Sequence, residues 1–158
     1  MTELVHQTNL PAEVIEAFST AAVIALREMT QFQALSIPQD TPSKPNGELV
    51  VAEMRLLRSV PGKFALVMTV DTAERLTERY LPVGTELTAE LVNDVVGEFA
   101  NVIAGQAKTI LKGTPYHFRL SLPVMTRSAL AEKLPGFVAN FQMDAGQVQL
   151  YVTLLPAD

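Results

Sequence analysis

The longest run of helical periodicity in this chain, residues 88–112, contains three residues that weaken a helix. Gly97, Asn101 and Gly105 all lie in its segment GEFANVIAGQAKT. Relative to alanine, two glycines and an asparagine cost a helix interior roughly 2–3 kcal/mol in total. A run that still predicts a helix therefore carries these residues for a reason other than helix stability.

A helical wheel with about 100° per residue divides this run into two sides. The apolar side, which we expect to face a sheet, comprises Val92, Val95, Phe99, Val102, Ile103, Ala107 and Ile110. The opposite side, about 80° wide on the same helical step and called the polar stripe below, comprises Asp94, Glu98, Asn101, Gly105, Lys108 and Lys112. With Gly97 at its edge, the polar stripe predicts a flattened exposed surface on which another molecule approaches the helix backbone. An ordinary solvated face, or tight packing of a neighbouring helix on the glycines, is the alternative.

Helices and hairpins account for most of the remaining chain. Helical spacing and turn residues predict helices over 12–29, 71–81 and 88–112, and hairpins that pair 48–57 with 63–70 and 136–143 with 147–155. Asp71 is the predicted N-cap of the second helix, and Gly113 is the left-handed stop of the third. The segment YHFRLSLPVM predicts one strand that ends at Pro123. Residues 36–48 are interpreted as a surface loop, and residues 126–135 as a short turn or linker.

This order of elements predicts an α+β fold, with long helices packed on a mostly antiparallel sheet. The length of 158 residues and the hydrophobic fraction of 48% are typical of a single domain over 1–158. A pseudo-symmetric internal repeat is also indicated, because EAFSTAAVIAL from Glu16 has the same spacing as EFANVIAGQAK from Glu98. In that comparison Ser19 stands where Asn101 stands.

Composition excludes several kinds of site and partner. The chain has no cysteine and only two histidines, His6 and His117, so thiolate chemistry is excluded and a zinc site lacks its ligands. We therefore expect no metal or cofactor to be bound by this chain. The net charge of -5, with scattered basic residues, argues against nucleic acid and anionic membranes as partners. No segment has the features of a signal peptide or a membrane span, so the expected location is the cytoplasm.

One motif resembles a known family. Asp94-x-x-x-Glu98-x-x-Asn101, followed by Pro123 in SLP, is similar to the signature of the CheC/CheX bacterial chemotaxis phosphatases, and GEFANVIAGQAKT carries the most specific part of the resemblance. In that family a Glu-x-x-Asn helix docks on a phosphorylated response regulator of the CheY type and hydrolyses its aspartyl phosphate. Because Ser19 replaces the amide of a second motif, the chain resembles CheX-like members, which are typically homodimers.

The resemblance implies that this chain and the regulator each supply some of the groups needed for hydrolysis. The regulator is expected to supply Mg2+, the phosphorylated aspartate and a lysine. Asn101 is then expected to hold the attacking water, since its amide both donates and accepts hydrogen bonds, and Glu98 to pair with the regulator's lysine. Further contacts with the partner are expected from Asp94, Gly97, Gly105 and Lys108. For the two charged members of this set, solubilisation of the helix face is the alternative.

Two other kinds of function remain open at this point. The same helix is compatible with an adaptor that binds a regulator, or a flagellar or signalling partner, without hydrolysis. A ligand-binding α+β domain, with a pocket between its helices and its sheet, is the third hypothesis. No residue pattern identifies a ligand for such a pocket.

Overall fold

The computed structural model describes residues 10–31, 35–37, 47–128 and 134–154. In chain order, its elements in these ranges are α1 (Ala12–Thr30), β1 (Leu35–Ile37), β2 (Leu49–Leu57), β3 (Gly62–Thr69), α2 (Val70–Tyr80), α3 (Ala89–Ile110), β4 (Arg119–Leu120), β5 (Val124–Ser128), β6 (Phe137–Met143) and β7 (Gly146–Thr153). The three predicted helices and two predicted hairpins are all present. No helix in this part of the chain is long and apolar enough to cross a membrane.

All seven described strands belong to one sheet, and every pairing among them is antiparallel. The strand order is β1-β6-β7-β3-β2-β4, and β5 also pairs with β2. The two hairpins therefore form the centre, with β3 against β7. On the outer sides, β1 flanks β6, and both β4 and β5 flank β2. The α+β class with an antiparallel sheet is confirmed. The predicted internal repeat is compatible with this order and stays a prediction.

The main core lies between the helices and one face of the sheet. Alternate residues of β2, from Val50 to Leu56, are fully buried in the same cluster as the apolar sides of α1 and α3, as the two-residue period of a strand requires. Phe18 of α1 joins the layers, because its ring centroid lies 5.2 Å from that of Phe64 and 6.0 Å from that of Phe118. A smaller cluster, built on Leu49, Ala65, Val67 and Tyr151, occupies the opposite face of the sheet.

The ends of α3 follow the sequence signals closely. The hydroxyl of Thr88 accepts a hydrogen bond from the amide of Leu91 at 3.1 Å, which caps the first turn. The helix ends at Ile110, two residues before the predicted end, and Gly113 has a φ of 85°. This left-handed conformation suits a glycine, but it comes two residues after the C-cap Leu111, whose own φ is -87°.

The predicted cap of α2 is wrong. The hydroxyl of Thr69, the last residue of β3, accepts from the amide of Thr72 at 3.1 Å and is the N-cap. Asp71 lies inside the first turn, where its carboxylate pairs with Arg75 at 3.3 Å. Because β3 continues directly into α2 at Val70, the capping position lies two residues earlier than the sequence pattern indicates.

The predicted strand ending at Pro123 is also wrong. Only the short strand β4 lies within it, and residues 121–123 separate β4 from β5. At this break, the backbone N–H of Ser121 donates to the carbonyl of Arg55 at 3.1 Å, and its hydroxyl accepts from the amide of Arg55 at 2.8 Å. Pro123 has no N–H for a ladder, and pairing with β2 resumes at Val124.

Two predicted connecting segments are partly strand. Residues 36–37 of the expected loop 36–48 belong to β1, and residues 126–128 of the expected linker 126–135 belong to β5. Most of the other residues in these two predicted segments, 38–46 and 129–133, lie outside the described residues.

Candidate functional site

The polar stripe lies on the solvent side of α3. Asp94, Glu98 and Asn101 are exposed, whereas Gly105 and Lys108 are half-buried. The remaining member of the stripe is exposed in the turn that follows the helix. Since the opposite side of α3 is held on the core, the stripe is presented on a rigid element.

The apolar side of α3 is buried along most of its length. Val92, Val95, Phe99, Ile103 and Ala107 are buried, and Val102 is half-buried and packs against the core. The ring of Phe99 meets that of Tyr80 edge-on, with 5.5 Å between centroids. The prediction that Ile110 belongs to this side is wrong, because it is the last residue of α3 and is 46% exposed.

The two glycines of the GEFANVIAGQAKT segment have different environments. Gly97 is buried, and a Cβ placed on it would lie 3.4 Å from the Sδ of Met125 and 3.5 Å from the Cγ of Pro123. The prediction that Gly97 is exposed at the edge of the polar stripe is therefore wrong, since the first residues of β5 and the segment before them cover it. At Gly105, apart from the neighbouring backbone of α3 itself, no heavy atom of the described residues lies within 4 Å of such a Cβ. Of these two glycines, it is therefore Gly105 at which the described residues leave the helix backbone open to an approaching molecule.

A polar contact between β5 and α3 was missed by the sequence analysis. The Nε of Arg127 donates to the Oδ1 of Asn93 at 3.2 Å, and its Nη2 donates to the carbonyl of Ala89 at 3.3 Å. Together with the packing on Gly97, this contact fixes the first two turns of α3 on the edge of the sheet. The helical wheel gives no signal for it, because Arg127 was placed in a turn or linker.

The carboxylates of the stripe have no partner in the described part of the chain. Asp94 and Glu98 are four residues apart on the helix, where two like charges destabilise it by roughly 0.2–0.5 kcal/mol. The described residues provide no ion pair or side-chain hydrogen bond to either group. Lys108 and Lys112 lie at the other end of the stripe, so its charge runs from acidic to basic in the sense that the helix dipole favours. Such a surface offers carboxylates to a cationic group of another molecule.

Glu98 and Asn101 form a compact pair of functional groups. Residues three apart on a helix have Cβ atoms about 5–6 Å from each other. Neither side chain is engaged by another described residue, so the carboxylate can accept from a cation while the amide both donates and accepts. The described residues contain no group of three or more side chains that could hold a metal ion.

The comparison with protein families identifies the group to which this chain belongs. The model of the family described as "Chemotaxis phosphatase CheX" matches residues 50–141, more than half of the sequence. The chain belongs to the CheX family. The resemblance drawn from GEFANVIAGQAKT is thus confirmed, and the matched region of this CheX family member contains Glu98, Asn101 and Pro123.

Solved structures share the fold of this CheX family member. CheX from Vibrio vulnificus superposes with a TM-score of 0.72 and 18% identity, covering 94% of this chain and 100% of that one. A chain of the CheX-CheY-BeF3-Mg2+ complex from Borrelia burgdorferi gives 0.69 and 20%, covering 89% and 96%. FliY from Thermotoga maritima gives 0.62 and 18%, covering 96% and 93%. No match was found among curated proteins.

Proposed function

We propose that this protein is a phosphatase that hydrolyses the aspartyl phosphate of a phosphorylated CheY-type response regulator, in chemotaxis or another two-component pathway. The observation that carries the proposal is the exposed, unengaged pair Glu98 and Asn101 on α3, inside the region that matches the chemotaxis phosphatase family. A protein of the same fold from Borrelia burgdorferi forms a complex with CheY, which supports the choice of partner. We retain the homodimer implied by the resemblance as part of the proposal.

Asn101 positions the nucleophile in this proposal. An aspartyl phosphate is a reactive mixed anhydride, so its hydrolysis depends mainly on positioning and charge stabilisation. The amide of Asn101 holds a water in line with the bond between phosphorus and the aspartyl oxygen. The water oxygen bonds to phosphorus, the aspartate carboxylate leaves, and the water's protons pass to the phosphate and the solvent. A carboxylate at position 101 would repel the phosphoryl oxygens, whereas the neutral amide does not.

Glu98 fixes the docking register. Its carboxylate pairs with a lysine of the regulator through a charge-assisted hydrogen bond, which also relieves its repulsion with Asp94. The regulator brings Mg2+, which neutralises charge on the phosphoryl group. Asp94 and Lys108 orient the regulator along the stripe, and Gly105 permits close approach to the helix.

The test measures the lifetime and the binding of a phosphorylated regulator separately. Asn101→Ala is expected to lower kcat at least about 100-fold, as removal of a transition-state contact does. Its Kd for the beryllofluoride-activated regulator should stay within about threefold of the wild type, because binding rests on the remainder of the surface. Glu98→Ala should weaken both binding and turnover.

Gln106→Ala provides a matched control, since it removes a carboxamide from the same helix outside the polar stripe and should leave the rate unchanged. A wild-type rate in Asn101→Ala would contradict the assigned role of the amide. Tight binding of the activated regulator, without any shortening of its phosphorylated lifetime, would instead identify the adaptor.

A further inference from the structure

The segment between β4 and β5, together with the first residue of β5, exposes two apolar side chains close together in sequence. Leu122 is 83% exposed and Val124 is 62% exposed. Isolated exposed apolar residues are normal on a protein surface, whereas contiguous apolar patches mark interaction sites. The other large exposed apolar residues in the described chain are Ile24, Tyr80, Val83 and Ile110. None of these has a second large exposed apolar side chain from this set within two positions of it.

Leu122 is held between two anchored residues. Ser121 makes two hydrogen bonds with the backbone of Arg55, at 2.8 and 3.1 Å. On the other side, Pro123 packs against α3 at Gly97 and restricts Leu122 to extended backbone conformations. An exposed leucine on a fixed backbone loses little conformational freedom when a partner covers it.

Leu122 lies close enough to the polar stripe for one interface of ordinary size to cover both. Pro123 lies 3.5 Å from the Cβ position of Gly97, the residue before Glu98. Standard chain geometry then keeps the Cα atoms of Leu122 and Glu98 at most about 15 Å apart. An interface of ordinary size covers about 800 Å² on each partner, which is a disc of roughly 16 Å radius. A molecule centred on Glu98 and extending over the β5 side of α3 therefore covers Leu122.

We propose that Leu122 is an apolar contact for the response regulator and extends the docking surface from the polar stripe onto the segment before β5. This inference rests on the proposed function. A second copy of this chain is the competing occupant, and β5 offers it an edge. Leu122, however, lies in the break between two strands, where Ser121 is already bonded to Arg55. A side-chain contact with the regulator therefore fits this position better than strand pairing with a second copy.

The test compares Leu122→Ser with Ile110→Ser, two changes that remove an exposed apolar side chain without altering charge. Ile110 lies about 18 Å along α3 from Glu98 and about 120° around the helix from it, by ordinary helix geometry. We expect Leu122→Ser to raise both KM for the phosphorylated regulator and Kd for its beryllofluoride-activated form roughly fivefold to tenfold. The kcat should stay within about twofold, and Ile110→Ser should change neither constant.

Each outcome separates this inference from the proposed function. An unchanged Kd in Leu122→Ser overturns the inference, as does a shift in sedimentation coefficient without a change in Kd, which assigns the residue to self-association. If Asn101→Ala loses turnover while Leu122→Ser binds normally, only the apolar contact is wrong. If Asn101→Ala retains turnover while Leu122→Ser binds weakly, Leu122 is a contact for the regulator but the role assigned to Asn101 in hydrolysis is wrong. Matching thermal unfolding curves show that the variant is folded.

Discussion

Gly105 is the residue at which stability and function are expected to conflict. It lies inside α3, and a Cβ built on it would meet no heavy atom within 4 Å in the described ranges other than the neighbouring backbone of α3. Alanine is therefore accommodated, and Gly105→Ala should raise the free energy of unfolding by about 0.5–1 kcal/mol. The added methyl group would also separate a docked regulator from the helix backbone, so KM should rise. Urea denaturation and initial rates on the same sample check both expectations.

Gly97→Ala is the matched control for this change. It makes the same substitution in the same helix, but Gly97 is buried and its new Cβ would make ordinary contact with Met125 and Pro123. Stability should rise by a similar or smaller amount, and KM should stay the same. If Gly105→Ala also kept the wild-type KM, the helix at that position would be an ordinary solvated face.

At the scale of secondary-structure elements, the contact of Arg127 with Asn93 joins the edge of the sheet to α3. Both hydrogen bonds of the guanidinium go to the first two turns of the helix, at 3.2 and 3.3 Å. In a double-mutant cycle of Asn93→Ala and Arg127→Met, we expect a coupling energy of about 0.5–1.5 kcal/mol in urea denaturation. The kcat should fall much less than in Asn101→Ala, because Val92 and Val96 still hold the helix on the core.

The pair formed by Gln106 and Glu28 serves as the reference for that cycle. It also joins two elements, α3 and α1, but through one long exposed hydrogen bond of 3.4 Å. Its coupling energy should be close to zero. Equal coupling in both pairs would show that the contact of Arg127 with α3 contributes nothing specific.

Hydrophobic periodicity and capping or turn residues predict the helices and hairpins of this fold better than they predict its short strands and the contacts between its elements. The long helix and both hairpins carry many residues of one period, so their faces and approximate ends follow from sequence. β1 and β5 are short strands whose pairing is decided by distant residues, which local propensity does not report. Because β5 was not predicted, neither the cover over Gly97 nor the partner of Asn93 could be foreseen. The exposure of Glu98 and Asn101 was predictable, since their angle on a long helix depends only on spacing.

At the scale of the whole molecule, the second face of the sheet contains a titratable group. Tyr151 lies on β7 in the small cluster opposite the main core, and its hydroxyl donates to the Oε1 of Gln149 at 2.9 Å. Burial raises the pKa of Tyr151 from 10.0 to about 12. The fold thus favours the neutral phenol over the phenolate.

This shift makes the stability of the whole domain depend on alkaline pH. Because the folded pKa lies above the unfolded value, the contribution of Tyr151 is complete below about pH 10 and is lost as the pH rises toward about 12.

The free energy of unfolding in urea should therefore fall over this range more steeply in the wild type than in Tyr151→Phe, which cannot ionise. Subtracting the two curves isolates the contribution of the Tyr151 hydroxyl. A difference that stays constant from pH 9 to pH 11 would show that the phenolate is tolerated. Tyr151→Phe should hydrolyse the regulator's phosphate at the wild-type rate near neutral pH, because the sheet separates this face from α3.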